Sequence, residues 1–301
     1  MEYAIETEQL TKQYNSVFAA NRVSLHVQKG EIYGFIGRNG AGKTTCMKII
    51  CGLTKPNDGT VKINGQINSS CSVIGNLIEA PGLYGSMTAE ENLQCLALLH
   101  GKKADKLIPE LLELVGLSRF TKLYVSQFSL GMRQRLGIAA ALVGKPEILV
   151  LDEPINGLDP QGIADVRNLI LHLKHERKCT IMISSHILSE LAKIADTFGI
   201  IHNGCLLREI SAEELQKQTA DHTEIVSENP QQVCDALKAY GIQDIALTED
   251  GTVRFLGCTD RAAEINRMLF ENGCSIIESR RNHTDLEQYY LNLTGGAERC
   301  V

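Results

Sequence analysis

The chain has 301 residues, 44% hydrophobic and 22% charged, which is the composition of an ordinary globular protein. A formal net charge of −6 without a sustained basic run argues against an extended nucleic-acid surface. No stretch approaches the ~18 apolar residues of a membrane span, and the N-terminus, with Glu2 and Glu6, has no apolar signal core. Work at a membrane would therefore require a partner that supplies the spanning helices. The length suggests one large domain and a smaller one. None of the ten cysteines forms a C-x-x-C pair, so they read as small buried hydrophobes in a reducing cytosol.

Tyr3-Ala4-Ile5-Glu6-Thr7 and Val23-Ser24-Leu25-His26-Val27 alternate apolar and polar, as half-buried strands do. Between them lies Tyr14, an aromatic placed to stack on a base. Ile32-Tyr33-Gly34-Phe35-Ile36 reads as a buried strand. It runs into Gly37-Arg38-Asn39-Gly40-Ala41-Gly42-Lys43-Thr44-Thr45, and a helix follows. G-x-x-x-x-G-K-T in a strand–loop–helix context is a phosphate-binding loop. Its glycines let backbone N–H groups surround phosphate oxygens, and the helix N-terminus adds donors and a positive dipole end. Lys43 reaches the outer phosphates, and the Thr44 hydroxyl suits Mg²⁺.

After a strand at 60–63, the apolar run 73–78 ends at Glu79. Thr88-Ala89-Glu90-Glu91 has capping-box spacing, and residues 92–143 are mainly helical in pattern. The block from about 80 to 145 reads as a helical subdomain inserted in an α/β core. Glu147-Ile148-Leu149-Val150-Leu151 is a strand buried on both faces and ends in Asp152-Glu153. Asp152 suits Mg²⁺, and Glu153 suits a general base for water. A helix is expected over 165–174. A second buried strand, 179–185, ends at His186, and a hairpin turns at Asn203-Gly204. Polar groups thus gather at the carboxyl ends of parallel strands, where open α/β sheets place ligands. The composition turns polar at 219–222, which sets domain bounds of 1–220 and 221–301. The second part reads βαββαβ, a small α+β domain of ferredoxin-like order, with a closing helix at 285–293.

Phe128-Ser129-Leu130-Gly131-Met132-Arg133-Gln134-Arg135-Leu136 resembles the signature sequence of ABC ATPases. Asn156-Gly157-Leu158-Asp159-Pro160 resembles their D-loop, Ser185-His186 their switch histidine, and Tyr14 their adenine-stacking aromatic. The resemblance covers roughly residues 2–215 and implies a P-loop NTPase core of ABC type, with ATP and Mg²⁺ as ligands. It implies catalytic roles for Lys43, Glu153 and His186, and metal contacts from Thr44 and Asp152. It also implies a head-to-tail pair of such domains, here two copies of this chain. Each supplies Ser129, Gly131 and Asp159 to ATP held by the other's phosphate loop. A separate transmembrane permease, with this chain on the cytoplasmic face of the membrane, completes the picture, and no nucleic acid is expected.

Two positions depart from the usual pattern. Leu130 stands where the signature has its first glycine, and Glu79 where most relatives carry glutamine. Glu79, the run Glu153-Pro154-Ile155-Asn156-Gly157 and the closing 285–295 are similar to the bacitracin-resistance and lantibiotic-immunity branch. That likeness implies export of antimicrobial peptides, with Glu79 near the nucleotide as a metal or coupling residue. The rivals are a soluble ABC ATPase acting on ribosomes or DNA, and an exporter subunit for another substrate. The single phosphate loop and the acidic balance argue against the first. A domain that binds ATP without turnover conflicts with the intact Lys43, Asp152, Glu153 and His186, and a GTPase would need an absent N-K-x-D motif.

Overall fold

The structure, a computed structural model, describes residues 2–67, 73–219, 222–248, 251–256, 261–282 and 286–295. It divides into two compact units, Met1–Ala212 and Glu213–Gly296. The division falls ahead of the polar stretch; the expected bound at Ala220 and Asp221 lies outside the described residues, as do Glu249, Asp250 and Asp285.

The first unit is built on a six-stranded sheet. Its continuous apolar runs become β4 (Ile32–Ile36), β8 (Ile148–Asp152) and β9 (Thr180–Ser185), buried at every position. With β7 (Ile74–Leu77), β10 (Thr197–His202) and β11 (Cys205–Ser211) they lie in the order β11-β10-β4-β9-β8-β7. All neighbours are parallel except β11, which folds back on β10. Consequently β4, β8 and β9 end on one side, each delivering its following loop to the same place.

A second, antiparallel sheet holds β1 (Tyr3–Tyr14), β2 (Val17–Val23), β3 (His26–Gln28), β5 (Asp58–Ile63) and β6 (Gln66–Ile67). Here the alternation reading fell short. β1 runs on to Tyr14, and the expected strand at 23–27 is divided between β2 and β3. Asn15 at φ 52 makes the tight return, and Gln9 and Arg22 also take left-handed φ beside the register shifts of the β1–β2 pair. Such bulges break the two-residue period on which the reading depends. α1 (Lys43–Ile50) packs between the sheets, where Met47, Ile49 and Ile50 join Ile5, Val23, Phe35 and Val150 in one core.

The helical block contains α2 (Ala89–Leu99), α3 (Ala104–Leu114) and α4 (Leu130–Leu142). The capping box of α2 is formed as its spacing predicts: Glu91 N–H donates to Thr88 Oγ1 at 3.2 Å, and Thr88 N–H to the Glu91 carboxylate at 2.7 Å. Between β8 and β9 runs α5 (Pro160–Arg177), longer than expected because Asp159 caps it and Pro160 suits its first turn. α6 (Leu188–Leu191) follows β9.

The second unit opens with α7 (Ala212–Thr219). Next come β12 (His222–Ser227), α8 (Pro230–Ala239), β13 (Ile245–Leu247), β14 (Thr252–Leu256), α9 (Ala262–Glu271) and β15 (Ile276–Asn282). The sheet order β13-β14-β12-β15, antiparallel throughout, is that of a ferredoxin-like fold. Ile225, Val253 and Phe255 pack on Val233, Leu237 and Leu269. α10 (Leu286–Gly295) closes the described chain.

Cys46 and Cys51 are buried free thiols, and burial pushes Cys46 up to about 12, which leaves it inert as a nucleophile. Cys205 departs from the all-thiol reading: it is disulfide-bonded, and no sequence spacing signals it.

A polar knot joins β3, β4 and β11. The Tyr33 hydroxyl donates to Glu209 Oε1 at 2.7 Å, and His26 N–H donates to the same oxygen at 2.9 Å. Gly199 leaves the space: a Cβ there would meet Tyr33 Oη at 2.1 Å. Gly199→Ala should therefore destabilise the protein by about 1–3 kcal/mol. A urea unfolding midpoint equal to the parent's would show that Tyr33 is not confined.

Candidate active site

The phosphate loop has its shape because two glycines are sterically required. A Cβ on Gly37 would lie 2.6 Å from Ile201 O, and one on Gly42, at φ 109, would lie 2.2 Å from Ala19 O. The Gly204 N–H donates to Ala41 O at 2.9 Å, so the β10–β11 turn braces the loop from below. The first intrahelical bond near the loop is Cys46 N–H to Gly42 O. The N–H groups of Lys43, Thr44 and Thr45 precede it and are free to donate outward. A cavity of about 190 Å³ is lined by Ala19, Arg38 to Thr45 and Glu153. Larger clefts of about 560 and 620 Å³ lie elsewhere on the first unit, without a glycine loop or helix N-terminus to receive phosphate.

The strand ends bring the predicted polar residues to this cavity. Thr44 Oγ1 donates to Asp152 Oδ2 at 2.7 Å. Lys43, 5% exposed, donates from Nζ to Gly37 O at 2.5 Å and Arg38 O at 3.3 Å. The same Nζ lies 3.1 Å from Glu153 Oε1. Glu153 Oε2 meets His186 Nδ1 at 2.8 Å. Glu153 Oε1 is buried and, despite the nearby lysine, accepts no aligned hydrogen bond from the described residues. Oε1 is thus paired with Lys43 as an ion pair rather than through an aligned hydrogen bond, and the Glu153 carboxylate lines the phosphate-loop cavity.

Ser184 was missed by the sequence reading: its hydroxyl donates to Asp152 Oδ1 at 2.5 Å and accepts the Glu153 N–H at 2.9 Å. A hydroxyl directly after the apolar run Ile181-Met182-Ile183, within the buried strand, was the available signal.

Other predicted residues stand apart from this cluster. Ser129 caps α4, accepting the Met132 N–H at 3.2 Å, and Asp159 caps α5, accepting the Gly162 N–H at 3.1 Å. Among the described residues no hydrogen bond or ion pair joins Ser129, Gly131 or Asp159 to the phosphate loop. Leu130 lies against the D-loop, its Cδ2 3.1 Å from where a Gly157 Cβ would be. Tyr14 ends β1, 48% exposed, with Lys12 Nζ 5.3 Å from its ring centroid. Glu79, at φ 64 and with a largely exposed side chain, pairs through Oε1 with Lys48 Nζ at 2.5 Å. The structure thus brings Glu79 to α1 one turn beyond Thr44, and no bond among the described residues joins it to Asp152.

Several known proteins are similar to this chain. The ABC transporter family matches residues 20–156. The bacitracin transport ATP-binding protein BcrA of Enterococcus faecalis is 45% identical over 98% of each chain. The chain belongs to the ABC transporter ATP-binding proteins. The lantibiotic transport ATP-binding protein SrtF of Streptococcus pyogenes is 43% identical over 68% of this chain and 90% of its own. A dimeric ATP-binding cassette solved in a post-hydrolysis state with ADP and Pi is 25% identical, with a TM-score of 0.64 over 69% of this chain and 98% of that one. As an ABC ATPase, this chain binds and hydrolyses ATP, and the P-loop core with its inserted helices is the fold that the sequence implied.

Lys43→Ala removes a cation from the phosphate cavity. Hydrogen bonds to charged groups contribute about 1.5–3 kcal/mol, so affinity for a fluorescent ATP analogue should fall about ten- to a hundredfold. An unchanged titration would remove Lys43 from the site.

Proposed function

We propose that this chain is the ATPase subunit of an exporter of bacitracin- or lantibiotic-like peptides, paired with a second copy of itself and driving a separate membrane permease from the cytoplasmic face. The Glu153 carboxylate, lining the phosphate-loop cavity between Lys43 and His186, carries the hydrolytic part of this reading. The names of the relatives support the peptide class. Among the described residues no helix is long and apolar enough to cross a membrane.

Glu153 takes the proton of the attacking water, and His186 orients the carboxylate through Nδ1. Lys43 and the amides of residues 37–45 hold the phosphates, and Tyr14 stacks on adenine. Among the described residues no cluster of three or more His, Cys, Asp or Glu forms a metal cage. The Thr44 hydroxyl and Asp152 carboxylate instead offer a sparse all-oxygen set, which fits Mg²⁺ shared with substrate phosphates. Mg²⁺ held there would supply charge neutralisation. Ser129, Gly131 and Asp159 serve the partner copy's ATP, in keeping with the lack, among the described residues, of any hydrogen bond or ion pair to their own loop.

Glu79 couples the site to the permease. It follows β7, and the loop that carries it borders a cleft of about 300 Å³ lined by Leu77, Ile78, Pro81, Leu83, Leu96 and Gly137. Exposed Tyr84, Leu98 and Leu99 add apolar surface on the same helical block. The second unit has a packed core of its own and contributes no residue to the catalytic set, so it is accessory.

Glu153→Gln should lower turnover about 10²–10⁴-fold while ATP binding survives and an ATP-bound dimer accumulates. Gel filtration with saturating ATP and Mg²⁺ that shows only monomer, beside near-normal turnover, would sink the assignment. For coupling, Glu79→Ala should leave ATP affinity within about twofold but weaken peptide resistance of cells expressing the permease; Glu79→Gln should do so less. Full protection by both variants at matched protein levels would take Glu79 out of the coupling path. Co-sedimentation with ribosomes rather than co-purification with a polytopic membrane protein would favour the soluble rival.

A further inference from the structure

Ser184 is a fully buried hydroxyl in a strand that is buried at every position. Such a group is costly unless its hydrogen bonds are made. Both of them go to the end of β8. The β8–β9 register sets Ser184 opposite Asp152, and Ser184 Oγ donates to Asp152 Oδ1 at 2.5 Å. Thr44 Oγ1 holds the other oxygen, Oδ2, at 2.7 Å, so the two hydroxyls fix the carboxylate between them. The same Ser184 Oγ accepts the Glu153 N–H at 2.9 Å.

That second bond matters because Glu153 lies at φ 48, a left-handed conformation that non-glycine residues rarely adopt. Such a conformation persists only where its surroundings over-determine it, and it concentrates at functional sites. Here the amide is tied to Ser184, the carbonyl accepts the Asn156 N–H at 3.1 Å, and the carboxylate meets His186 and Lys43. Ser185 cannot substitute for Ser184, because its Oγ accepts the Ile187 N–H at 2.9 Å.

We propose that Ser184 is a positioning residue for ATP hydrolysis: one buried hydroxyl sets both the orientation of Asp152 and the left-handed turn that delivers the Glu153 carboxylate to the phosphate loop. This rests on the assignment of Glu153 as the base. Ser184 does not line the phosphate-loop cavity and acts through its two neighbours. A residue of this kind affects turnover more than binding, because the phosphates are held by the loop and Lys43, which it does not contact.

The test uses the purified full chain, Mg²⁺ and ATP, with kcat and KM measured for the parent, Ser184→Ala, Ser184→Thr, Glu153→Gln and the Ser184→Ala/Glu153→Gln double variant. Misplacing a reacting group by about 1 Å can cost about 10²-fold. Ser184→Ala should therefore lower kcat about ten- to a hundredfold, with KM within about twofold of the parent. Ser184→Thr, which keeps the hydroxyl, should retain most of kcat. The double variant should lose less than the product of the two single losses, since the Glu153 carboxylate that Ser184 helps to position is already gone while Asp152 remains. Three results would overturn the proposal: an unimpaired Ser184→Ala; equal losses in the Ala and Thr variants with a matching rise in KM; or losses that multiply in the double variant. An inactive Glu153→Gln beside an unimpaired Ser184→Ala would overturn this proposal alone. Near-normal turnover of Glu153→Gln would overturn the base assignment and this proposal with it.

Discussion

Two carboxylates on consecutive residues, Asp152 and Glu153, end a strand that is buried at every position. Charges withdrawn from water in this way must be compensated locally. The groups that compensate them come from two other places in the chain: Lys43 and Thr44 from the start of α1, and Ser184 and His186 from the end of β9. This holds only while β4, β9 and β8 stay in register, because β4 leads into α1 and a slip of one residue would turn these strand-end groups to the other face. The parallel ladder, buried on both sides, enforces that register. The apolar core is thus what makes the polar site affordable.

The elements nearest the site were the most legible in sequence. β4, β8 and β9 are continuous apolar runs that end in chemistry-bearing residues, and a doubly covered parallel strand has no other way to read. The phosphate loop was legible because phosphate imposes its own spacing on glycine, lysine and threonine. The antiparallel sheet was less so. In β1, Lys12 and Gln13 follow a bulge, so alternation stops announcing the strand while backbone pairing to β2 continues. Contacts formed by distant side chains were not legible at all. The bond from Ser184 to Asp152 spans 32 positions and the pair Lys48–Glu79 spans 31, and neither residue type is diagnostic alone.

Lys43 shows how binding and catalysis share a group. Its ammonium has three donors. Two are used on Gly37 O and Arg38 O, which hold it along the loop, and the remaining contact is the ion pair with Glu153 Oε1. Phosphate oxygens and Glu153 therefore compete for one cation. An anion that draws Lys43 toward itself weakens its hold on Glu153 and leaves His186 as the remaining partner of that carboxylate.

The far side of the first unit is organised on the same logic, with one departure. α4 and α5 begin close together: Leu130 meets the D-loop at Gly157, and a Cβ on Gly131 would lie 3.7 Å from Leu158 Cδ2. Arg135 and Asp165 pair at 3.3 Å further along the two helices. A glycine at position 130, as the usual signature has, would give up the first of these contacts. The leucine instead ties the signature to the D-loop within one subunit, so their two helix N-termini are presented together. Ser129 uses an acceptor lone pair on the Met132 N–H, which leaves its own hydrogen to donate outward. A donor held at the N-terminus of a helix, with no bond to its own phosphate loop among the described residues, is suited to an anion.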